Sequence, residues 1–356
     1  MEHRLTHRQK FLIRKFCLLL LSAAIIVSVF LSIPYIARAL PVSLAGILTE
    51  QSETAISSAE SSGEQPLSPI MGESFSAIIG FDYESEPSIP LVENPSGALY
   101  VNAVSLCWYT QDEIPNLYLL NRTDFDININ NYSGLPFPIN NIISTDPMVL
   151  IIHTHGTESY LPTGVDYYMA DENFRSEIEA ESIVAVGTVL ANALNSKGIV
   201  TLHDTTMYDK EDFSSAYSNT KEAVARTLAS YPSIKYVIDL HRDAVFTSEG
   251  VNQKPVTTIN GKQAAQAMLV MGTNQGGANH PNWEQNLTVA VALQNIINND
   301  YPTLMRPICL RSASFNQQLT TGSMLLEIGS CGNTLEEAKY TAELIASAIT
   351  KMIYSN

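Results

Sequence analysis

The sequence has few cysteines and few basic residues, and each shortage excludes a class of protein. Its four cysteines are scattered over 356 residues without a C-x-x-C pair, which excludes a disulfide scaffold and a cysteine-rich zinc knuckle. We place Cys17 in an apolar helix and expect the other three cysteines in the core. If the domain is exported, one disulfide between two of these three is an alternative. The chain has 20 basic and 36 acidic residues and a net charge of −16. Because nucleic-acid binding requires clustered basic residues, no nucleic-acid partner is expected.

Two common catalytic motifs are also missing. No G-x-S-x-G sequence occurs, which argues against a serine hydrolase. The pair Gly276-Gly277 lacks the Lys-Ser/Thr continuation of a phosphate-binding loop, so we interpret it as a turn. What the chain does have is a high content of hydrophobic residues, 45%, which is enough to build a core.

The N-terminal region predicts a membrane anchor. Residues 16–37 carry no charge, and a helix of this length crosses a hydrocarbon layer of about 30 Å. Five basic residues precede it within residues 1–15, which places this end in the cytoplasm and everything after Arg38 outside. The alternative is a cleaved signal peptide ending near Ala37-Arg38-Ala39, but the apolar run is longer than a signal peptide requires.

The residues after the predicted anchor divide into three parts. Residues 38–100 are rich in Ser, Glu and Pro, with no Lys or Arg between Leu40 and Tyr100, and this predicts a flexible acidic linker. Residues 101–145 mix aromatic residues with an Asn-rich stretch, and we expect an N-terminal extension of the folded domain. Residues 146–356 show regular apolar patterns and are predicted to be the catalytic domain.

Strands and helices alternate in the predicted catalytic domain. Short apolar runs predict buried strands, and apolar residues at helical spacing predict the helices between them. The pair Asn260-Gly261 predicts a hairpin turn. The alternation predicts an α/β fold with a largely parallel, twisted sheet flanked by helices. The predicted strands are 148–153, 199–202, 236–240, 267–272 and 324–329, and the helices are 178–197, 216–229, 283–297 and 335–353.

Polar residues cluster at the ends of three predicted strands, where α/β sheets place their ligands. His153, His155 and Glu158 follow the first of these strands, His241 and Arg242 follow the second, and Glu327 lies inside the third. Imidazoles with carboxylates are the groups that a catalytic zinc site requires. The competing interpretation makes each histidine an ordinary core or surface residue, and pairs Glu327 with Arg242 or Arg311 in a buried salt bridge. His203 and His280 are further candidates, and for His280 a structural role is favoured.

Three motifs at these positions resemble the stage II sporulation protein P family: HTHGTESY from His153, DLHRDA from Asp239, and RSASFNQQLTTGSMLLEIGSCGNTLEEA from Arg311. The likeness covers roughly residues 146–353. It implies an amidase-like fold and a zinc-dependent N-acetylmuramoyl-L-alanine amidase that hydrolyses peptidoglycan, with cleavage inside the stem peptides as a second activity. It also implies work in the septal space during forespore engulfment in sporulation, beside a lytic transglycosylase and other membrane proteins of the engulfment machinery.

The resemblance also assigns roles by position. His155 and His241 match zinc-binding histidines, and Glu327 matches the general base. Glu158 matches the carboxylate ligand of the family's own motif, whereas related amidases place this acid at the start of the first helix. The metal ligands expected here are therefore His155, Glu158, His241 and His153, with the carboxylates of the first helix as the alternative to Glu158. Those alternative carboxylates are Glu177, Glu179 and Glu181.

For catalysis, Glu327 is expected to accept a proton from water, and Arg311 or Arg242 to stabilise the oxyanion or bind substrate carboxylates. The chain departs from the family at DENFRSEIEAES and at Met207-Tyr208, which affects the rim that faces the substrate. Two other functions stay open: an inactive cell-wall-binding scaffold with the same fold, and a zinc carboxypeptidase or deacetylase that cuts a different bond.

Overall fold

The computed structural model describes residues 95–107 and 117–355. The predicted cytoplasmic segment, the predicted membrane-spanning helix and most of the predicted linker lie outside the described residues, as does Cys17. Among the helices of the described ranges, none has the length and apolar character needed to cross a bilayer.

The described residues form a domain of twelve strands and four α-helices. The strands are β1 (Leu99–Tyr100), β2 (Asn102–Val104), β3 (Leu119–Arg122), β4 (Val149–Ile152), β5 (Tyr167–Tyr168), β6 (Thr201–His203), β7 (Tyr236–Asp243), β8 (Gln253–Ile259), β9 (Lys262–Ala265), β10 (Ala267–Gly272), β11 (Ile308–Arg311) and β12 (Gly322–Ser330). The helices are α1 (Ile183–Ser196), α2 (Ala216–Ser230), α3 (Trp283–Asp300) and α4 (Leu335–Ser355).

A seven-stranded sheet in the order β3-β11-β10-β12-β7-β4-β6 forms the centre of the domain. Five of its six neighbouring pairs are parallel, and β10 pairs with β12 antiparallel. The predicted α/β class is therefore confirmed, but the sheet is mixed: β3, β10 and β11 run opposite to the other four strands. The chain enters β10 from a hairpin and not from a crossover helix, so nothing forces β10 to lie parallel to its neighbour.

Local sequence accounts for most element boundaries. The hairpin of β8 and β9 turns at Asn260 and Gly261, whose φ angles of 51° and 76° suit a two-residue turn. Helix α1 begins at Ile183, five residues after the predicted start, because residues 179–181 form a 3-10 turn. The Ser182 side chain then caps the helix by accepting a hydrogen bond from Val184 N–H. Strand β7 continues three residues past the predicted end at Leu240.

The two faces of the sheet are covered differently. Helices α1, α3 and α4 pack on one face and form the main hydrophobic core. On the other face, Val224 of α2 packs against Leu150, Ile152 and Val237 in a smaller cluster. Because side chains alternate along a strand, Asp239 and His241 of β7 lie on the same face as Val237. The α2 face therefore carries the polar residues.

The N-terminal part of the described chain packs onto this sheet. Strand β3 is one of its two edge strands, and Leu117, Ile129 and Ile139 are buried in the main core. Strand β1, which the sequence placed at the end of the flexible linker, pairs antiparallel with β5, so residues 99–100 belong to the folded part. Cys107, Cys309 and Cys331 are free thiols, so the disulfide left open by the sequence does not form among the three.

Candidate metal and catalytic site

The turn after β4 brings His155 and Glu158 together. The backbone N–H of Glu158 donates to the carbonyl of His155 at 3.1 Å, which places the two side chains on one side of the turn. Two backbone bonds then secure the Glu158 region: the Ile183 N–H donates to the Glu158 carbonyl at 2.7 Å, and the Arg242 N–H donates to Glu158 Oε2 at 3.1 Å. The carboxylate is therefore fixed between the ends of β4 and β7.

His155, Glu158 and His241 lie close together with the spacing of metal ligands, and these three residues are called the metal group. Glu158 Oε1 lies 3.8 Å from His155 Nδ1, and Glu158 Oε2 lies 3.4 Å from His241 Nδ1. Ligands at about 2.0–2.1 Å from a tetrahedral zinc ion are about 3.3 Å apart. One ligand atom from each residue lies within 4.8 Å of the others, and the part of the chain that is described holds no other such group. The donor set and its spacing fit zinc.

Asp239 forms a salt-bridge contact with His241 within this group, although His241 Nε2 has no hydrogen bond of good geometry among the described residues. The Asp239 Oδ1 atom lies 2.9 Å from His241 Nε2, on the opposite side of the ring from Glu158. Thr154 fixes the Asp239 carboxylate in turn, since its N–H donates to Oδ1 at 2.9 Å and its hydroxyl donates to Oδ2 at 2.7 Å. A carboxylate on the far nitrogen of a ligating histidine sets the orientation of its ring. His241 Nδ1 is thereby directed at Glu158.

The charges of His155, Glu158, His241 and Asp239 favour the binding of a cation between them. Burial and the charge of His241 both lower the pKa of His155. Burial also opposes protonation of His241, but Asp239 and Glu158 outweigh it and raise the pKa of His241 well above its usual range. Burial would raise the pKa of Glu158, yet its hydrogen bond to His241 and the charge of His241 lower it. Two carboxylates thus face one imidazolium, and a metal ion would supply the same positive charge.

Glu327 lies directly beside this group. It pairs with His241 across the β7 and β12 ladder, so the two side chains share a face on strands about 4.8 Å apart. Its Oε2 atom is buried without a hydrogen-bond partner among the described residues. Burial raises the pKa of Glu327, and the charge of Asp243 raises it further. A carboxyl group in this state is suited to accept and return a proton.

Arg242 does not have the predicted role. Its guanidinium donates to the carbonyl oxygens of Ser159 at 3.1 Å and Phe174 at 2.7 Å, and is buried. It forms no salt bridge with Glu327 within the described chain. The prediction that Arg242 acts on the substrate is therefore corrected: its side chain holds the loops around the site, and its backbone N–H binds Glu158.

Arg311 lies at the other end of the sheet from Glu327. Arg311 pairs with Gly272 of β10, whereas Glu327 pairs with Met268, four residues away or about 13 Å along the strand. The alternative salt bridge between Arg311 and Glu327 does not form. Within the described ranges the Arg311 guanidinium has no hydrogen bond or salt bridge at all.

His153 lies outside the metal group, which corrects its predicted role as a ligand. It is fully buried, with Nδ1 3.0 Å from the Leu240 carbonyl and Nε2 2.8 Å from His203 Nε2. A Cβ atom at Gly187 of α1 would lie 2.5 Å from His153 Nε2, so the helix packs directly on the two rings. His153 and His203 therefore join β4 to β6 and α1. His280 is buried and is also outside the group.

The alternative carboxylates do not reach the site. Glu177, Glu179 and Glu181 are all exposed. Glu177 forms a salt bridge with Lys210 at 3.1 Å, and Glu181 accepts a hydrogen bond from the Ser176 hydroxyl at 2.8 Å. Of the four carboxylates considered from the sequence, only Glu158 belongs to the metal group.

Two loops, one containing Arg175 and the other containing Asp209 and Phe213, form a rim around His155. The ring of Phe213, which is 55% exposed, stacks on His155 at 4.4 Å between centroids, and the Arg175 guanidinium lies 5.0 Å from the centre of Phe213. Asp209 fixes both loops, because its carboxylate accepts bonds from Thr157 N–H at 3.1 Å and from Arg175 at 2.6 Å. The loops include both segments in which the sequence departs from the family it resembles.

Sequence reasoning missed three residues of this site. Asp239 precedes His241 by two positions and so shares its strand face, which period-two spacing alone indicates. Asp209 and Tyr217 have no such indication, because each lies in a region without a motif. Tyr217 is the second residue of α2, and its ring lies 5.5 Å from that of His155 at 82°.

Comparison with known families gives one match over most of the described domain. A family model described as Stage II sporulation protein P (SpoIIP) matches residues 109–350. A curated relative, Stage II sporulation protein P of Bacillus subtilis (strain 168), is 30% identical over 219 residues. That alignment covers 58% of this chain and 51% of the relative, so the chain spans about half the length of the curated relative it matches.

Solved structures show weaker similarity. An N-acetylmuramoyl-L-alanine amidase from Clostridium difficile 630 aligns with a TM-score of 0.36 and 16% identity, covering 60% of this chain and 97% of the amidase. An N-acetylmuramyl-L-alanine amidase from Mycobacterium smegmatis aligns with a TM-score of 0.35 and 14% identity, covering 60% of this chain and 99% of the amidase.

Proposed function

Because the chain belongs to the stage II sporulation protein P family, we propose that it is a zinc-dependent peptidoglycan hydrolase that cleaves the amide bond between N-acetylmuramic acid and L-alanine. The observation that carries this proposal is the group of His155, Glu158 and His241 beside Glu327, a partly exposed side chain whose buried Oε2 atom has no hydrogen-bond partner among the described residues. Three ligands and one adjacent base are the minimum for metal-assisted amide hydrolysis.

In this proposal His155, Glu158 and His241 bind the metal, and His153 is no longer among the ligands. Bound Zn²⁺ would supply a Lewis acid and lower the pKa of water to about 7. Glu327 accepts a proton from the attacking water as the new C–O bond forms at the lactyl carbonyl carbon. It then delivers that proton to the nitrogen of L-alanine as the C–N bond breaks.

Arg311 and the rim are proposed to bind the substrate. Stem peptides carry carboxylates, and Arg311 is a partly exposed guanidinium without a hydrogen bond or salt bridge in the described part of the chain. Guanidinium groups bind carboxylates with two parallel hydrogen bonds. The exposed Phe213 ring offers an apolar surface next to the metal ligands. Cleavage within the stem peptides is included in the proposal as a second activity.

The proposed location is the outer side of the cytoplasmic membrane. The apolar residues 16–37 and the basic residues before them support a single-pass anchor with the catalytic domain outside. The family supports sporulation as the setting, with the septal space around the forespore as the compartment. A lytic transglycosylase and other membrane proteins of the engulfment machinery are the proposed partners.

The proposal is tested by metal content and by digestion of sacculi. The full-length protein in detergent, loaded with zinc, is expected to hold one zinc ion per chain and to release intact stem peptides with a free L-alanine amine, detected by mass spectrometry. Loss of terminal D-alanine alone would identify a carboxypeptidase, and loss of acetate a deacetylase. Binding to sacculi without any released product would identify the inactive scaffold.

Asp239 gives a first prediction about the ligands. Replacing Asp239 with asparagine keeps the shape but presents an amide to both Thr154 and His241, so the orientation of the His241 ring is no longer fixed. We expect zinc affinity to fall about 10–100-fold, measured by competition with a chelating dye. Asp204→Asn is the matched control, since Asp204 binds the Tyr208 hydroxyl and lies outside the metal group. Equal zinc affinities for the two variants would refute the role of Asp239.

A further inference from the structure

Tyr217 occupies a distinctive position beside the metal group. It lies in the first turn of α2, where its carbonyl accepts a hydrogen bond from the Asn316 side chain at 2.8 Å. Its ring lies between His155, at 5.5 Å, and Phe315, at 6.0 Å between centroids. These contacts fix the ring on the α2 face of the sheet, the face that carries Asp239 and His241.

The hydroxyl of Tyr217, whose ring lies beside His155, has no hydrogen-bond partner among the described residues. Burial raises the pKa of Tyr217, and the charges of Asp239, Glu327 and Glu158 raise it further. No hydrogen bond to this hydroxyl exists within the described chain. Five other partly or fully buried tyrosines of the domain donate their hydroxyl hydrogens to the protein, namely Tyr132, Tyr160, Tyr208, Tyr236 and Tyr340.

A hydrogen-bond donor beside the metal ligands would assist the proposed reaction. When water attacks an amide, negative charge develops on the carbonyl oxygen, and a fixed donor at that point lowers the barrier. The Arg242 guanidinium is already bound to backbone carbonyls, and Arg311, whose charge acts on Tyr217, is assigned to the carboxylates of the substrate. A phenolic hydroxyl that has no partner and belongs to a ring fixed beside His155 is free to donate a hydrogen bond to a bound substrate.

We propose that Tyr217 is a catalytic residue whose hydroxyl donates a hydrogen bond to the carbonyl oxygen of the scissile amide. This inference rests on the proposed function, because it assigns a residue to the same reaction. Tyr217 retains its proton throughout: the proton that leaves water passes through Glu327 to the departing nitrogen, while the hydrogen bond from Tyr217 strengthens as the carbonyl oxygen gains charge.

The test compares Tyr217→Phe with the wild-type protein, both in full-length zinc-loaded form. Loss of one such donor lowers kcat by about 10²–10³-fold, and we expect this loss with KM within twofold and one zinc ion per chain retained. Tyr340→Phe is the control, since it loses the same hydroxyl group from a side chain of α4 that donates to the Ile259 carbonyl at 3.0 Å. Its kcat should stay within twofold of wild type.

A second measurement does not depend on turnover. A phosphinic acid analogue of the muramoyl-L-alanine bond imitates the charged tetrahedral state, so Tyr217→Phe should bind it more weakly by about the same factor as kcat falls. Binding of the released stem peptide should be unchanged. Unequal losses for kcat and for the analogue would overturn the donor role.

The remaining outcomes separate this inference from the proposed function. If wild type releases stem peptides and Tyr217→Phe is equally active, the inference fails and the function stands. If Tyr217→Phe loses zinc, Tyr217 supports His155 and is not a donor, so the inference fails as well. If zinc-loaded wild type releases no stem peptide, both fail.

Discussion

Replacing Glu327 with glutamine is expected to lower the rate of stem-peptide release by about 10²–10⁴-fold while zinc stays bound. Glutamine has the shape of glutamate but cannot accept a proton from water. Glu327 is not among the three ligand residues, so zinc content should remain at one ion per chain. The measurement is the initial rate of peptide release from purified sacculi, with metal content determined on the same samples.

The same variant should fold at least as well as wild type. Burial raises the pKa of Glu327, and Oε2 has no partner in the described part of the chain, so the ionised carboxylate is unfavourable in the folded protein. A neutral amide removes that penalty, and thermal unfolding should not shift to lower temperature. The control is Glu284→Gln, an exposed carboxylate that accepts a bond from Tyr132. A wild-type rate for Glu327→Gln would rule out Glu327 as the base.

The strand pattern explains why the sequence predicted so much of the fold. Val149–Ile152 is fully buried, and a continuous apolar run of this kind has few alternatives to a central strand. The Asn260-Gly261 turn fixed the hairpin register in the same way. The direction of β10 could not be predicted in this way, because the sequence of an apolar strand does not indicate whether its neighbour is parallel or antiparallel.

The site was predictable at the level of strand ends but not of individual rings. His153 and His155 were both expected as metal ligands, although the family resemblance matched only His155 to a zinc-binding histidine. The bend of the chain after β4 sends His153 to His203 and His155 to Glu158. Arg242 likewise follows a ligand, yet its guanidinium turns to backbone carbonyls that come from distant loops. Which of two neighbouring side chains enters a site depends on these long-range contacts.

His155→Ala is the other variant with a large expected effect. Replacing His155 with alanine removes one of the three ligands. Zinc affinity should therefore fall further than for Asp239→Asn, where the residue contacts a ligand but not the metal and the expected loss is about 10–100-fold. Burial lowers the pKa of His155, so the ring is neutral at pH 7 and its loss does not change the net charge of the group formed by Glu158, His241 and Asp239. The metal-free variant should therefore stay folded, as judged by circular dichroism.

The matched variant is His203→Asn, in which the partner of His153 is shortened while a polar group remains. His203 is partly exposed and lies outside the metal group, so this variant should bind zinc as wild type does, although packing against α1 is weakened. Zinc retained by His155→Ala and lost by His203→Asn would reverse the assignment and place the ion between His153 and His203. The two histidines after β4 are two residues apart, and this pair of variants separates the ligand from the structural residue.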